Sequence, residues 1–140
     1  MKILVAVDGS AFTKRMLAYL AAHDEWLGGQ HDYTVINVAQ PVPPRAAAVI
    51  DKAALQAHYA ETSDKVFKPI RAFFERQKIV AVFVAKVGLP AETIASYATK
   101  GKFDLLVMGS HGHGTLGSLV LGSVATKVIA GCETPVLVIR

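Results

Sequence analysis

Residues 3–10 read Ile-Leu-Val-Ala-Val-Asp-Gly-Ser. An unbroken apolar run carries the β-branched Ile3, Val5 and Val7 and stops at the turn-forming Asp8-Gly9-Ser10. A strand with one wet face alternates apolar and polar residues, whereas a continuous run of this length marks a strand buried on both faces. The sheet that contains it must be covered on both sides.

Outward from this strand the period changes. Met16, Leu17, Leu20 and Ala21 give Ala11 to Leu27 an apolar helical face, with Ser10 as N-cap and Gly28-Gly29 closing the helix. Tyr33 to Val38 reads as a second strand, and Gln40-Pro-Val-Pro-Pro44 as a stiff loop. A long helical pattern from about Asp51 to Gln77 rests on Val66, Phe67, Ile70, Phe73 and Phe74, and Pro69 is expected to kink or restart it. Strands follow at Ile79–Val87, Phe103–Met108 and Pro135–Ile139, with helices at Pro90–Thr99 and Ser118–Ala130. Strict alternation of strand and helix calls for an α/β fold: a three-layer, doubly wound parallel sheet of five strands, Rossmann-like, because right-handed crossovers put helices on both faces. The 140 residues fit one domain spanning 1–140, with no repeat or linker.

Composition narrows the function. Apolar residues make up 52% of the chain, which argues for a packed core. No apolar run approaches the ~20 residues that span a bilayer, and the N-terminus turns polar at Asp8, too early for a secretory signal. A cytoplasmic protein without a membrane partner is expected. The net charge of +4 comes from scattered Lys and Arg with no cluster longer than Lys14-Arg15, so nucleic acid is not an expected partner. Cys132 cannot form an internal disulfide and is expected as a buried thiol at a helix end.

In a doubly wound sheet, ligands bind outside the carboxyl ends of the strands where the winding reverses. Three loops lie at that edge: Asp8-Gly-Ser10, Ala39-Gln-Pro41 and a glycine-rich stretch after the fourth strand, with Gly109, Gly112, Gly114, Gly117 and Gly122. So much bare backbone suits a turn or the close approach of a ligand. Gly112 to Gly117 matches the dinucleotide pattern G-x-G-x-x-G, but that pattern belongs after the first strand of its unit, and Glu133 stands before the last strand instead of ending the next one. Gly117 to Ser123 has the spacing of a Walker loop but carries Ser123 where the lysine belongs. The pattern left is Gly109-x2-Gly112-x9-Gly122-Ser123, in which bare amides at Gly112 and Gly114 face the amides of Ser123 and Val124 and the Ser123 hydroxyl. One polyphosphate fits between them, lying against a bare Gly122 Cα that is expected to face a cleft.

This spacing, with Val107-Met-Gly109 and Gly122-Ser-Val-Ala125 around it, resembles the single-domain universal stress proteins of the ATP-binding branch. The similarity covers most of the chain, from Ile3 to Ser10, through Gly88-Leu-Pro-Ala-Glu-Thr-Ile94 and Asp104 to Gly112, to Thr134-Pro-Val-Leu-Val-Ile139. The resemblance implies a strand order of 3-2-1-4-5 and an ATP-binding regulatory protein of the stress response, with AMP or ADP as the alternative nucleotide. It places ATP between strands one and four, Asp8 and Val38 by adenine and ribose, Met108 and Gly109 on the ribose, and Gly112, Gly122, Ser123 and Val124 on the phosphates. Relatives often carry Arg or Lys after Gly112. His113 stands there in this chain as a phosphate-facing candidate, and Leu116 to Leu121 contains no basic residue, so phosphate affinity is expected to be weaker. With the Walker lysine missing, amides are the main donors and Mg²⁺ or Mn²⁺ carried on the phosphates is the expected neutralising charge.

Plainer readings stand beside these. Asp8 could serve only to cap the first helix, and Met108 by position alone belongs to the core. His111 and His113 have no Asp, Glu or Cys within the loop to complete a metal shell, so no protein metal site is expected. No catalytic residue is recognisable, and any ATP turnover should be slow. The residues leave open a nucleotide-binding regulator, a slow hydrolase or nucleotidyl transferase, and an interaction module that binds no nucleotide. The last strand, Pro135 to Ile139, would lie at a sheet edge and pair with its copy in a homodimer.

Overall fold

The computed structural model describes residues 1–114 and 120–140. Its strands are β1 (Lys2–Ala6), β2 (Asp32–Ala39), β3 (Ala81–Val87), β4 (Leu105–Gly109) and β5 (Val136–Ile139). Its helices are α1 (Ala11–Ala22), α2 (Asp24–Leu27), α3 (Pro44–Ala47), α4 (Lys52–Arg76), α5 (Pro90–Lys100) and α6 (Ser123–Gly131). All strand pairs are parallel, in the order β3-β2-β1-β4-β5. The doubly wound sheet is therefore present, and its winding reverses between β1 and β4.

The apolar run of β1 divides between two cores. Ile3, Val5 and Val7 pack with Met16 and Leu20 of α1 and with Phe67, Ile70 and Phe74 of α4. Leu4 and Ala6 point the other way, to Ile94 and Ala98 of α5 and Ala125 and Val128 of α6. Side chains alternate across a strand, so a strand between two helical layers needs apolar residues at every position.

Several boundaries move for local reasons. The helix expected over Ala11 to Leu27 breaks at His23, whose ring Nδ1 donates to the Tyr19 carbonyl at 2.9 Å and whose backbone leaves the helical region at φ −125°, ψ 44°. A side chain that takes the carbonyl of residue i−4 competes with the backbone bond that would continue the helix. Helix α4 does not restart at Pro69, which lies on the exposed side where water can satisfy the carbonyl left without a donor. Strand β3 starts at Ala81 and not at Ile79, because Lys78 adopts φ 55° and the Ile79 amide bonds back to the Phe74 carbonyl, closing α4. Helix α6 starts at Ser123, later than the expected Ser118, since Gly122 is extended at φ −71°, ψ 165°. Ser118 and Gly117 lie outside the described residues.

Candidate functional site

Ala6 pairs with Met108, so β1 and β4 end side by side and their loops leave the sheet together. On its other side the ladder of β1 with β2 runs one step further, with the Val7 amide donating to the Ile36 carbonyl at 3.0 Å. Buried Asn37 then donates from Nδ2 to the Val7 carbonyl at 2.9 Å and accepts from the Ser63 hydroxyl at 3.1 Å. This pair fixes where the chain turns into Asp8. Sequence reading missed it, although a buried polar residue within an otherwise apolar strand demands a partner.

Asp8 performs a local task. Its Oδ1 accepts from the Ser10 amide at 2.9 Å and from the Thr13 hydroxyl at 3.0 Å, while Ser10 caps α1 through the Thr13 amide. Its Oδ2 faces the opposite loop, where a Cβ added to Gly112 would stand 2.6 Å from it. The carboxylate thus belongs both to the start of α1 and to the contact between the loops that follow β1 and β4. His113 joins the same two loops, with Nε2 lying 2.6 Å from the Asp8 carbonyl oxygen. A carbonyl only accepts, so this nitrogen carries the proton.

The other glycines are close to protein atoms. A Cβ on Gly109 would meet Phe12 Cβ at 2.8 Å and the Phe12 carbonyl carbon at 3.2 Å, so Gly109 lets α1 pack onto the end of β4. Gly122 donates its amide to the Ser110 carbonyl at 2.8 Å, and a Cβ there would stand 3.0 Å from the same oxygen and 3.1 Å from His111 Cα. The expectation that Gly122 faces an open cleft is corrected: the backbone of the preceding loop occupies that space. Gly114 alone among these has nothing within 4 Å of an added Cβ.

Ser110, 1% exposed, anchors the loop. Its amide donates to the Ile139 carbonyl at 2.8 Å, and its hydroxyl lies 2.9 Å from His111 Nδ1. The His111 ring stacks at a tilt on Phe12, with centroids 4.9 Å apart. On the far side of the loop, α6 begins without a side-chain cap among the described residues, with Ser123 exposed and Val124 half-buried. The amides of an uncapped first turn are hydrogen-bond donors in need of an acceptor.

Asp8, Gly109, Gly112, His113, Gly122, Ser123 and Val124 therefore gather around the ends of β1 and β4. Met108, 5% exposed, lies in the core shared with α5 and α6, and half-buried Val38 packs against that core. Cys132, expected to be buried, is half-buried at the end of α6 with its sulfur 4.0 Å from the Ala95 carbonyl. Among the described residues, no helix is long and apolar enough to cross a membrane.

Comparison with known proteins agrees with this architecture. A family model described as the universal stress protein family matches residues 1–140. A curated relative from Thermus aquaticus, the universal stress protein in the QAH/OAS sulfhydrylase 3' region, is 36% identical over 138 residues, covering 99% of this chain and 97% of the relative. Among solved structures, the universal stress protein UspA of Lactobacillus plantarum superposes with a TM-score of 0.78 at 23% identity, covering 100% of this chain and 97% of that one. A universal stress protein of Archaeoglobus fulgidus, described in complex with dAMP, gives 0.68 at 20% identity, covering 100% and 98%. At such identities the structural likeness is one of fold.

Proposed function

The chain belongs to the universal stress protein family, and from that premise we propose that it binds an adenine nucleotide, ATP carrying Mg²⁺ or Mn²⁺ on its phosphates, and works as a stress-response regulator. The observation that carries this reading is the meeting of three features where the winding reverses: the Asp8 turn, the bare 112–114 backbone, and the uncapped first turn of α6. Exposed amides at a helix start attract anions, and switch points of parallel sheets hold ligands. Ser123 and Val124 would hold phosphate by their amides, with the Ser123 hydroxyl beside them. Gly122 would set the spacing, since its own amide is already given to Ser110. Asp8 would face the sugar end of the cleft with the carboxylate oxygen not taken by Ser10 and Thr13. The dAMP complex of the Archaeoglobus relative favours an adenine nucleotide over other phosphates.

The same reading includes a homodimer. Strand β5 lies at the sheet edge, and its Val136, Leu137 and Val138 are only half-buried within one chain. An apolar edge strand is a liability that pairing with a copy removes. Titration calorimetry with millimolar Mg-ATP tests nucleotide binding, with heat and a raised melting temperature expected. The absence of both heat and shift would overturn it and favour an interaction module that binds no nucleotide.

A further inference from the structure

The glycine loop supplies amides but no cation: His113 stands after Gly112, and Leu116 to Leu121 contains no Lys or Arg. A candidate lies on a different element. Arg15 of α1 places its guanidinium over the Phe12 ring, 4.9 Å from the centroid. Phe12 in turn stacks on His111, again at 4.9 Å, and the His111 backbone and ring lie 3.1 and 3.5 Å from the Cβ position of Gly122, the N-cap of α6. Contacts thus run from Arg15 through Phe12 and His111 to the N-cap of α6.

Its orientation follows from helix geometry. Helical side chains lean toward the N-terminus of their helix, and α1 starts at the carboxyl edge of the sheet, so Arg15 reaches back toward the cleft. The guanidinium has no ion-pair partner among the described residues, where Lys65–Glu61 and Arg71–Asp64 are the ion pairs. It also sits at the wrong end of its helix. The first turn of α1 holds no acidic residue, while Lys14 and Arg15 place positive charge near the positive pole of the helix dipole. The Asp8 carboxylate, on the turn that leads into α1, is already bonded to Ser10 and Thr13. An anionic ligand would relieve this clustering of like charge.

We propose that Arg15, braced on Phe12, is the cation that selects a nucleoside triphosphate over a monophosphate at this site. This rests on the nucleotide reading above and adds the residue that sets phosphate number. A planar guanidinium can grip terminal phosphate oxygens with two donors, and stacking on Phe12 keeps it extended at little entropic cost.

The test is calorimetric titration of the intact protein with ATP and with AMP, each with Mg²⁺, for wild type, Arg15→Gln and Lys14→Gln, with nucleotide-free melting recorded for all three. Arg15→Gln should weaken ATP about tenfold and AMP less than twofold, the size of one charge-assisted contact, while Lys14→Gln changes both less than twofold. An unchanged ATP-to-AMP affinity ratio in folded Arg15→Gln, or an equal loss in Lys14→Gln, overturns the assignment. Failure of both nucleotides to bind the wild type overturns the nucleotide reading as well, and is seen before any substitution is made.

Discussion

His113 Nε2 and the Asp8 carbonyl oxygen lie 2.6 Å apart across 105 positions of sequence, tying the loop after β4 to the loop after β1. The residues that would enclose a nucleotide are held together by a side chain at the mouth of the cleft. His113 is exposed, so the bond is worth at most about 0.5–1.5 kcal/mol to the whole fold, but it restrains the loop directly. His113→Ala should leave the melting temperature nearly unchanged and accelerate amide hydrogen exchange at residues 110–114. Unaltered exchange there would show that Ser110 alone anchors the loop.

Gly112 and Asp8 are coupled sterically, because an added Cβ would stand 2.6 Å from Asp8 Oδ2. The carboxylate cannot swing aside freely while its other oxygen holds the Ser10 amide and the Thr13 hydroxyl. Gly112→Ala should therefore cost about 1–3 kcal/mol of stability, the usual scale for overpacking. Combined with Asp8→Ala, the two losses should fall short of their sum by about 1 kcal/mol or more in a thermal double-mutant cycle. Strict additivity would mean that the loop moves away as a body.

Tyr33 offers a test of the core at high pH. It is 3% exposed, its hydroxyl donates to the Leu27 carbonyl, and burial pushes its pKa from 10.0 up to about 12. The fold favours the neutral phenol, so the unfolded chain ionises first. The resulting stability is present in full below about pH 10 and is lost as pH rises to about 12, in all about 2–3 kcal/mol. Denaturant midpoints for wild type and Tyr33→Phe should converge, or reverse their order, across that window. A constant difference from pH 9 to 12 would contradict a phenol ionising harder in the fold.

Strand β1 illustrates what a single sequence can carry. Ile3 to Val7 had to be buried on both faces, which required cover on both sides of the sheet, and the alternation of strands with helices then made that sheet parallel. The break at His23 was invisible because it depends on a ring choosing the Tyr19 carbonyl, a rotamer choice and not a pattern. Short α3, Pro44–Ala47, was hidden in a proline loop in the same way, although Pro44 is well suited to a first helical position. At the site, spacing located the glycines, but their reasons lay far along the chain. Gly109 is small because of Phe12 and Gly112 because of Asp8. Phe12 and Arg15 had no motif to announce them, since their relation to His111 exists only once α1 lies against β4.

The edge strand gives a prediction about assembly. Val138 is half-buried in the single chain and pairs with Met108 on its inner side, and among the described residues the outer edge of β5 has no neighbouring strand. Val138→Lys should convert a dimer at micromolar concentration to a monomer, as read by light scattering, because a charge on an edge strand opposes pairing. A wild-type monomer at that concentration would refute the dimer outright.

Gly122 separates two reasons for a glycine. Its backbone, at φ −71° and ψ 165°, is open to any residue, so conformational freedom does not explain it. If the bare Cα served only to admit a phosphate, Gly122→Ala would leave the nucleotide-free protein as stable as before and weaken binding alone. In the structure the added methyl meets the Ser110 carbonyl at 3.0 Å and His111 Cα at 3.1 Å, both backbone atoms that cannot rotate away. Ser110 is itself fixed by its amide bond to Ile139, so relief requires the start of α6 to retreat. Gly122→Ala should then lower the nucleotide-free melting temperature by roughly 3–10 °C, from about 1–3 kcal/mol of overpacking, and Gly122→Val by more. Gly114→Ala, where a Cβ meets nothing within 4 Å, is the matched control and should melt with the wild type. Equal melting of Gly122→Ala and Gly114→Ala, with nucleotide affinity lost only in the former, would return Gly122 to the phosphate and show that the packing against Ser110 yields to a methyl group.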